Sequence, residues 1–187
     1  MPNKLNPDQH LLLVDLETTG LVPVEEKILE VGLVVTTLDF KAVAQFHALI
    51  EPPNFDPDDL EDNVRSMHER SGLLKELDRS GRDQDEVEEA LCEWYDDLFG
   101  DDVQVPLSGS SVHFDVDFIK EHFVDFPDKV HYREINWSTV KELCRRYNPT
   151  VYAKLPEARK LHRSIPDLQD TINEARFYVE NFFFTTV

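Results

Sequence analysis

Runs of apolar and β-branched residues predict five strands along the chain. Residues 11–16 (Leu-Leu-Leu-Val-Asp-Leu) form a short apolar run that is typical of a buried strand. Residues 28–38 and 41–50 are rich in β-branched side chains, and only a few residues separate them, which predicts two antiparallel neighbours. Two shorter strands are predicted at residues 105–108 and 132–135.

Helical spacing of apolar positions fills most of the remaining chain. Helices are predicted over residues 64–77, 85–99, 116–123, 139–147 and 168–183. Ser138 is the expected N-cap of the fourth of these helices, and Pro149 is expected to end it. Strands followed by helices, and then by alternating strands and helices, predict an α/β fold with a mixed sheet and helices on its faces.

Charge narrows the possible ligands. The net charge is −19, so the chain is a poor non-specific binder of long nucleic acid or of an anionic membrane. Residues 51–102 hold 19 acidic and 5 basic side chains, whereas residues 129–163 hold 9 basic and 3 acidic ones. Any phosphate contact is therefore expected first in residues 129–163, although ordinary surface charge is the alternative.

Compartment and membrane association follow from two further observations. No apolar run approaches the roughly 20 residues that a membrane span needs, so no membrane partner is expected. Cys92 and Cys144 lie far apart and have no second pair, which excludes a disulfide framework and indicates a reducing, cytoplasmic location.

The first candidate site is a pair of carboxylates in the first predicted strand. Side chains alternate along a strand, so Asp15 and Glu17 point to the same face. Two adjacent carboxylates raise each other's pKa, and a divalent cation between them removes the conflict. A solvated strand end is the structural alternative.

Two further motifs carry an aspartate next to a predicted helix. Residues 109–115 (Gly-Ser-Ser-Val-His-Phe-Asp) place Asp115 at the start of one helix. Residues 162–167 (His-Arg-Ser-Ile-Pro-Asp) place His162 and Asp167 before the last helix, where they would offer a base and a metal ligand. A helix-capping role is the alternative for each aspartate.

Taken together and in this order, the three motifs resemble the DEDDh group of 3'-to-5' exonucleases, and in particular the oligoribonuclease family. Residues 14–21 (Val-Asp-Leu-Glu-Thr-Thr-Gly-Leu), 71–73, 109–115 and 131–133 carry the resemblance, as does the stretch Ser-Thr-Val-Lys-Glu-Leu-Cys-Arg-Arg-Tyr at 138–147. The resemblance covers roughly residues 10–183. It implies an RNase H-like exonuclease fold with a mixed five-stranded sheet, formed by one domain at 11–187 after an N-terminal extension at 1–10.

The resemblance also implies a mechanism. Asp15, Glu17, Asp115 and Asp167 match the four metal-binding carboxylates, and His162 matches the general base. Two ions per site, Mg²⁺ or Mn²⁺, would support hydrolysis of short oligoribonucleotides to 5'-mononucleotides.

Substrate contacts and assembly are implied in the same way. Leu21 would wedge between two bases, and Ser111, Arg133, Ser138 and His68 would cap the 5'-phosphate of a dinucleotide. In the family, the residues at Tyr132 and Arg133 reach into the site of a neighbouring subunit, which implies a homodimer.

Three positions depart from the family pattern: Asn63 replaces a tryptophan, Asn136 replaces an aspartate, and Pro166 stands where an aspartate is frequent. These departures concern substrate length and leave room for longer or DNA oligomers. Two alternatives to the exoribonuclease hypothesis stay open: an exonuclease acting on single-stranded DNA, and a non-catalytic module that mimics nucleic acid, which the net charge of −19 would suit.

Overall fold

A mixed five-stranded sheet lies at the centre of the fold, and this confirms the predicted class. The computed structural model describes residues 4–183. The sheet order is β3-β2-β1-β4-β5, with β1 antiparallel to β2, β2 antiparallel to β3, and β4 parallel to both β1 and β5. The strands are β1 (His10–Thr18), β2 (Ile28–Thr37), β3 (Ala42–Leu49), β4 (Val105–Gly109) and β5 (Val130–Asn136).

Eight α-helices connect and cover these strands in the described part of the chain. They are α1 (Asp62–Ser71), α2 (Leu73–Ser80), α3 (Gln84–Phe99), α4 (His113–His122), α5 (Phe126–Lys129), α6 (Trp137–Tyr147), α7 (Pro149–Tyr152) and α8 (Ser164–Tyr178). A wider helical turn, Val179–Phe183, follows α8, so the helix predicted to reach residue 183 changes geometry near its end. No helix within residues 4–183 is both long and apolar enough to cross a bilayer.

Four of the predicted helices have different boundaries in the structure. The helix predicted over residues 64–77 is two helices, because Gly72 adopts a left-handed conformation (φ 79°) that ends α1. Helix α6 begins at Trp137, one residue before Ser138, and Asn136 is its N-cap: the Asn136 side chain accepts a hydrogen bond from the Ser138 N–H at 3.0 Å. Helices α4 and α8 begin earlier than predicted, which places Asp115 and Asp167 inside their first turns.

Alternation along β1 divides the core into two layers. Leu12, Val14 and Leu16 pack into the cluster that contains residues of α3, α4 and α5. Leu13 packs on the opposite face, together with residues of α6 and α8. Continuing this second face along β1 brings Asp15 and then Glu17 to the strand end, on the side that α8 covers.

Candidate active site

Strand β1 and its partner β2 place two carboxylates at the edge of the sheet. Glu17 lies opposite Glu30 of β2 in the register, and the register shifts just after Glu17. Glu17 is buried, and Asp15 is half-buried at the mouth of a cleft. The period of the strand thus brings the two predicted carboxylates together on one face.

Asp115 reaches the same strand end from α4. Its Oδ1 accepts a hydrogen bond from the Leu16 N–H at 2.9 Å. Leu16 stands between Asp15 and Glu17 in the sequence, so this bond fixes the Asp115 carboxylate at the same end of β1. Asp115 is buried, and it lies in the first turn of α4 rather than capping the helix. The N-cap of α4 is Val112, so Asp115 does not cap the helix, and its carboxylate is bonded to β1 instead.

The start of α8 supplies the other two predicted residues. The Asp167 carboxylate accepts hydrogen bonds from the Leu161 N–H at 3.0 Å and from the His162 N–H at 3.1 Å, which folds the preceding loop back over the helix. Ligand atoms of Glu17, His162 and Asp167 all lie within 4.8 Å of one another. The exposed His162 therefore faces the carboxylates from the solvent side.

Burial and mutual repulsion perturb these acids. Burial, with smaller contributions from Asp115, Glu17 and Asp167, raises the pKa of Asp15 well above its usual value. Burial and the nearby Glu30 raise the pKa of Glu17 from 4.5 to about 8, although Arg163 opposes the shift. Burial likewise raises the pKa of Asp115, against the hydrogen bond from Leu16.

Among the described residues, no ion-paired cation offsets the repulsion between these carboxylates. Within residues 4–183, no lysine or arginine forms an ion pair with Asp15, Glu17 or Asp115; the one basic side chain within 4.0 Å of these carboxylates is His68, whose Nδ1 lies 3.8 Å from Glu17 Oε2. A group of neighbouring carboxylates with no paired cation is typical of a site that binds a divalent metal ion.

A cleft of about 330 Å³ opens beside these groups. Its lining includes Asp15 and Asp167 together with Ser110, Trp137, Lys141 and Lys160. Three further acids also line it, Glu157, Asp170 and Glu174, and Glu174 pairs with Lys141 at 2.8 Å, so acidic side chains outnumber lysines in this cleft. A cleft with this excess of negative charge favours cations.

The predicted serines form a small hydroxyl cluster near this cleft. Ser138 Oγ lies 3.1 Å from the hydroxyl oxygens of both Ser110 and Ser111. The Asn136 side chain joins them, because its Oδ1 accepts hydrogen bonds from the backbone N–H groups of Ser111 and Ser138. The residue that departs from the family pattern therefore organises the cluster as well as capping α6.

Leu21, Tyr132 and Arg133 are accessible but lie apart. Leu21 follows β1 and is 78% exposed. Tyr132, 79% exposed, and Arg133 lie on β5, the edge strand, where the guanidinium of Arg133 stands 5.4 Å from the centre of the Tyr132 ring. Both line a second cleft, of about 280 Å³, that shares no residue with the acidic one.

His68 does not occupy the position expected of a phosphate contact. It is 0% exposed: its Nε2 donates to the Thr18 carbonyl at 2.9 Å, and its Nδ1 points toward Glu17 without a hydrogen-bond partner in residues 4–183. Burial lowers the pKa of His68. Because helix α1 packs this ring against the end of β1, His68 contacts the carboxylate site and presents no surface to a 5'-phosphate.

Two charged residues beneath the site, Glu30 and Arg163, were not predicted from the sequence as part of it. Glu30 of β2 is buried; it forms an ion pair with Arg163, the residue after His162, and its Oε1 lies 2.6 Å from Nε2 of His47 on β3. The hydrogen bonds from His47 and Arg163 outweigh burial and lower the pKa of Glu30. One signal was present: Glu30 is a lone acid inside an apolar strand, a position where an unpaired carboxylate is too costly to bury.

Comparison with known proteins agrees with this geometry. The RNase_T exonuclease family matches residues 12–175. A mitochondrial oligoribonuclease of Mus musculus is 34% identical over 176 residues, which cover 94% of this chain and 74% of that protein. An oligoribonuclease of Corynebacterium glutamicum is 33% identical over 177 residues, covering 94% and 81% of the two chains.

Solved structures show the same fold at much lower identity. Exonuclease I of E. coli, in a zinc-bound complex with single-stranded DNA, superposes with a TM-score of 0.70 at 15% identity. The match covers 93% of this chain but 41% of exonuclease I, so that protein contains much that has no counterpart here. With the family match over most of its length, the chain belongs to the oligoribonuclease family of 3'-to-5' exoribonucleases.

Proposed function

We propose that the enzyme uses two divalent cations, Mg²⁺ or Mn²⁺, to hydrolyse dinucleotides and short oligoribonucleotides to 5'-mononucleotides. One observation carries the proposal: carboxylates with raised pKa values converge on the end of β1, and ligand atoms of Glu17 and Asp167 lie within 4.8 Å of one on His162. Relatives named oligoribonuclease support RNA oligomers as the substrate class.

The residues present fit a pair of hard cations. Asp15, Glu17, Asp115 and Asp167 offer only oxygen ligands, which favours Mg²⁺ or Mn²⁺ over softer metals. Their four negative charges would be balanced by two divalent ions, and the raised pKa values of the first three measure how strongly the unloaded site favours neutralisation. When bound, the ions would acidify the attacking water and stabilise the departing 3'-oxygen.

Proton transfer and substrate contacts are assigned to individual side chains. His162 is exposed beside Glu17 and Asp167, so its ring would take the proton of the attacking water and pass it to solvent. Asp167 fixes the His162 backbone by accepting its N–H. The hydroxyl cluster of Ser111 and Ser138 would donate to a phosphate at the 5' end, and Leu21, which is exposed beside β1, would separate two bases.

Assembly would complete the site. Tyr132 and Arg133 lie on an edge strand and line a cleft of their own, so they are free to reach the site of a second copy in a homodimer. The Arg133 guanidinium would then bind the 5'-phosphate through two parallel N–H donors. The acidic stretch at residues 51–102 would repel longer polymers.

Cellular location belongs to the same proposal. Both cysteines are free: Cys144 is buried, and Cys92 is half-buried. Reduced thiols suit a reducing compartment, so the cytoplasm is the location we propose.

Product analysis over time tests the proposal. Labelled RNA of two to seven nucleotides is incubated with Mg²⁺, with Mn²⁺ or with EDTA, and DNA of the same lengths runs beside it. We expect 5'-mononucleotides released from the 3' end, fastest from dinucleotides, and no product in EDTA. Equal rates on RNA and DNA, or faster cleavage of the longest oligomers, would refute the assignment to short RNA.

A further inference from the structure

A buried ion-pair network lies directly beneath the His162 loop. Glu30 is 1% exposed, and its carboxylate accepts from the Arg163 Nε–H at 3.1 Å and from the Arg163 terminal N–H at 3.1 Å. The same carboxylate accepts from the Ser164 N–H at 3.2 Å and contacts His47 Nε2 at 2.6 Å. Both carboxylate oxygens of Glu30 are thus partnered.

Arg163 extends this network to a third part of the fold. Its terminal nitrogen also lies 2.5 Å from Glu76 of α2. The guanidinium therefore joins β2 and α2 to the residue that immediately follows His162. Because the guanidinium is planar and its donors are fixed in a fork, two carboxylates on different elements determine both its position and its orientation.

The network also replaces a missing helix cap. Arg163 is the N-cap residue of α8, and among the described residues it makes no side-chain capping bond of its own. Glu30 supplies the acceptor instead, from the neighbouring sheet, for the N–H of Ser164 at the first position of the helix. A carboxylate at a helix N-terminus is also favoured by the helix dipole.

The loop that carries His162 needs such support. Lys160 and His162 have φ angles of 52° and 53°, in the left-handed region that non-glycine residues rarely adopt. A left-handed backbone conformation at a non-glycine residue persists only where contacts with the surrounding structure hold it in place. Asp167 holds the loop from the helix side through the N–H groups of Leu161 and His162, and Arg163 holds it from the sheet side.

We propose that Glu30 and Arg163 form a positioning pair, which fixes the His162 ring in the orientation needed for proton transfer while touching neither substrate nor metal. The inference rests on the proposed function, since it takes His162 as the base. It assigns a role to two residues that lie outside the set of four carboxylates and one histidine.

A double-mutant cycle separates positioning from mere support of the fold. Arg163→Lys keeps the charge but loses the fork, and it is measured alone and together with His162→Ala on a labelled RNA dinucleotide. We expect Arg163→Lys to lower kcat about tenfold or more with KM changed less than twofold, since small misplacement of a catalytic group is costly. In the His162→Ala background, the same substitution should cause no further loss.

Three results are decisive. Full additivity, with Arg163→Lys costing as much without His162 as with it, overturns the positioning role while leaving the exoribonuclease assignment intact. A His162→Ala enzyme with the wild-type kcat removes the base itself and overturns both. A loss that falls on KM alone also contradicts positioning, because it indicates weaker substrate binding.

Two further variants complete the test: a control arginine outside the site, and a milder change to the network for use if Arg163→Lys does not fold. Arg65 also bridges two carboxylates, Asp58 at 3.0 Å and Asp62 at 2.9 Å, but on the outer face of α1. Arg65→Lys should leave kcat unchanged. If Arg163→Lys does not fold, Glu76→Ala removes only the outer bond of the network. It should lower kcat about twofold to threefold in the wild type and not at all with His162→Ala; equal losses in both backgrounds overturn the proposal.

Discussion

Replacing Glu17 by glutamine should stabilise the metal-free protein at alkaline pH. The folded protein holds the Glu17 proton up to about pH 8, whereas an unfolded chain releases it near 4.5. Between these values the folded state binds more protons than the unfolded chain, so the free energy of unfolding falls as pH rises. Glutamine keeps the size of the side chain and removes the ionisation, so this decline should become shallower.

The size of the effect follows from the two pKa values. A shift from 4.5 to about 8 corresponds to about 5 kcal/mol, because each unit is worth roughly 1.4 kcal/mol. Solvent at the open side of the cleft screens part of this, and we expect about 3 kcal/mol between wild type and variant at pH 9. For a domain of this length, that is roughly 6–12 °C in melting temperature.

Urea unfolding in EDTA, followed by tryptophan fluorescence from pH 5 to pH 9, measures the difference. The two proteins should be nearly equal at pH 5 and should diverge steadily toward pH 9. Glu69→Gln, at an exposed position on α1, should reproduce the wild-type curve. Parallel curves for Glu17→Gln and wild type, or a variant that is less stable at pH 9, would show that Glu17 is not the strained acid described here.

Three further perturbations test the site and its supports. Asp15→Ala should abolish hydrolysis while the circular dichroism spectrum is unchanged and the stabilisation by Mn²⁺ is reduced; an active variant would remove the metal mechanism. Arg133→Ala should weaken dinucleotides with a 5'-phosphate more than those with a 5'-hydroxyl, measured as Kd for each, and equal losses would contradict the cap assignment. Gly32→Ala should cost about 1–3 kcal/mol in urea unfolding, because a Cβ there would lie 2.5 Å from Ser164 Oγ; an unchanged midpoint would mean that β2 and α8 are less closely packed than described.

Much of the site could be predicted from local pattern and from the family resemblance. The two-residue period of a strand is enough to place Asp15 and Glu17 on one face, and the structure shows them there. Asp115, His162 and Asp167 were assigned to the same site because the order of their motifs resembles that of the exonuclease family. The exact start of each helix was less predictable, because Gly72 and Asn136 act through backbone conformation and capping bonds that compete with helical spacing.

The sequence by itself determined the elements of the sheet, the acidic character of its β1 edge and the separation of charge along the chain, because these depend on neighbours within a few residues. Only the tertiary structure decided that His68 is buried against the carboxylates and that Glu30 meets Arg163 beneath the histidine loop. His68 is held there by the Thr18 carbonyl, 50 positions away in the chain, and Glu30 and Arg163 are 133 positions apart. These contacts depend on how α1 and α8 pack on the sheet, and no local pattern encodes that packing.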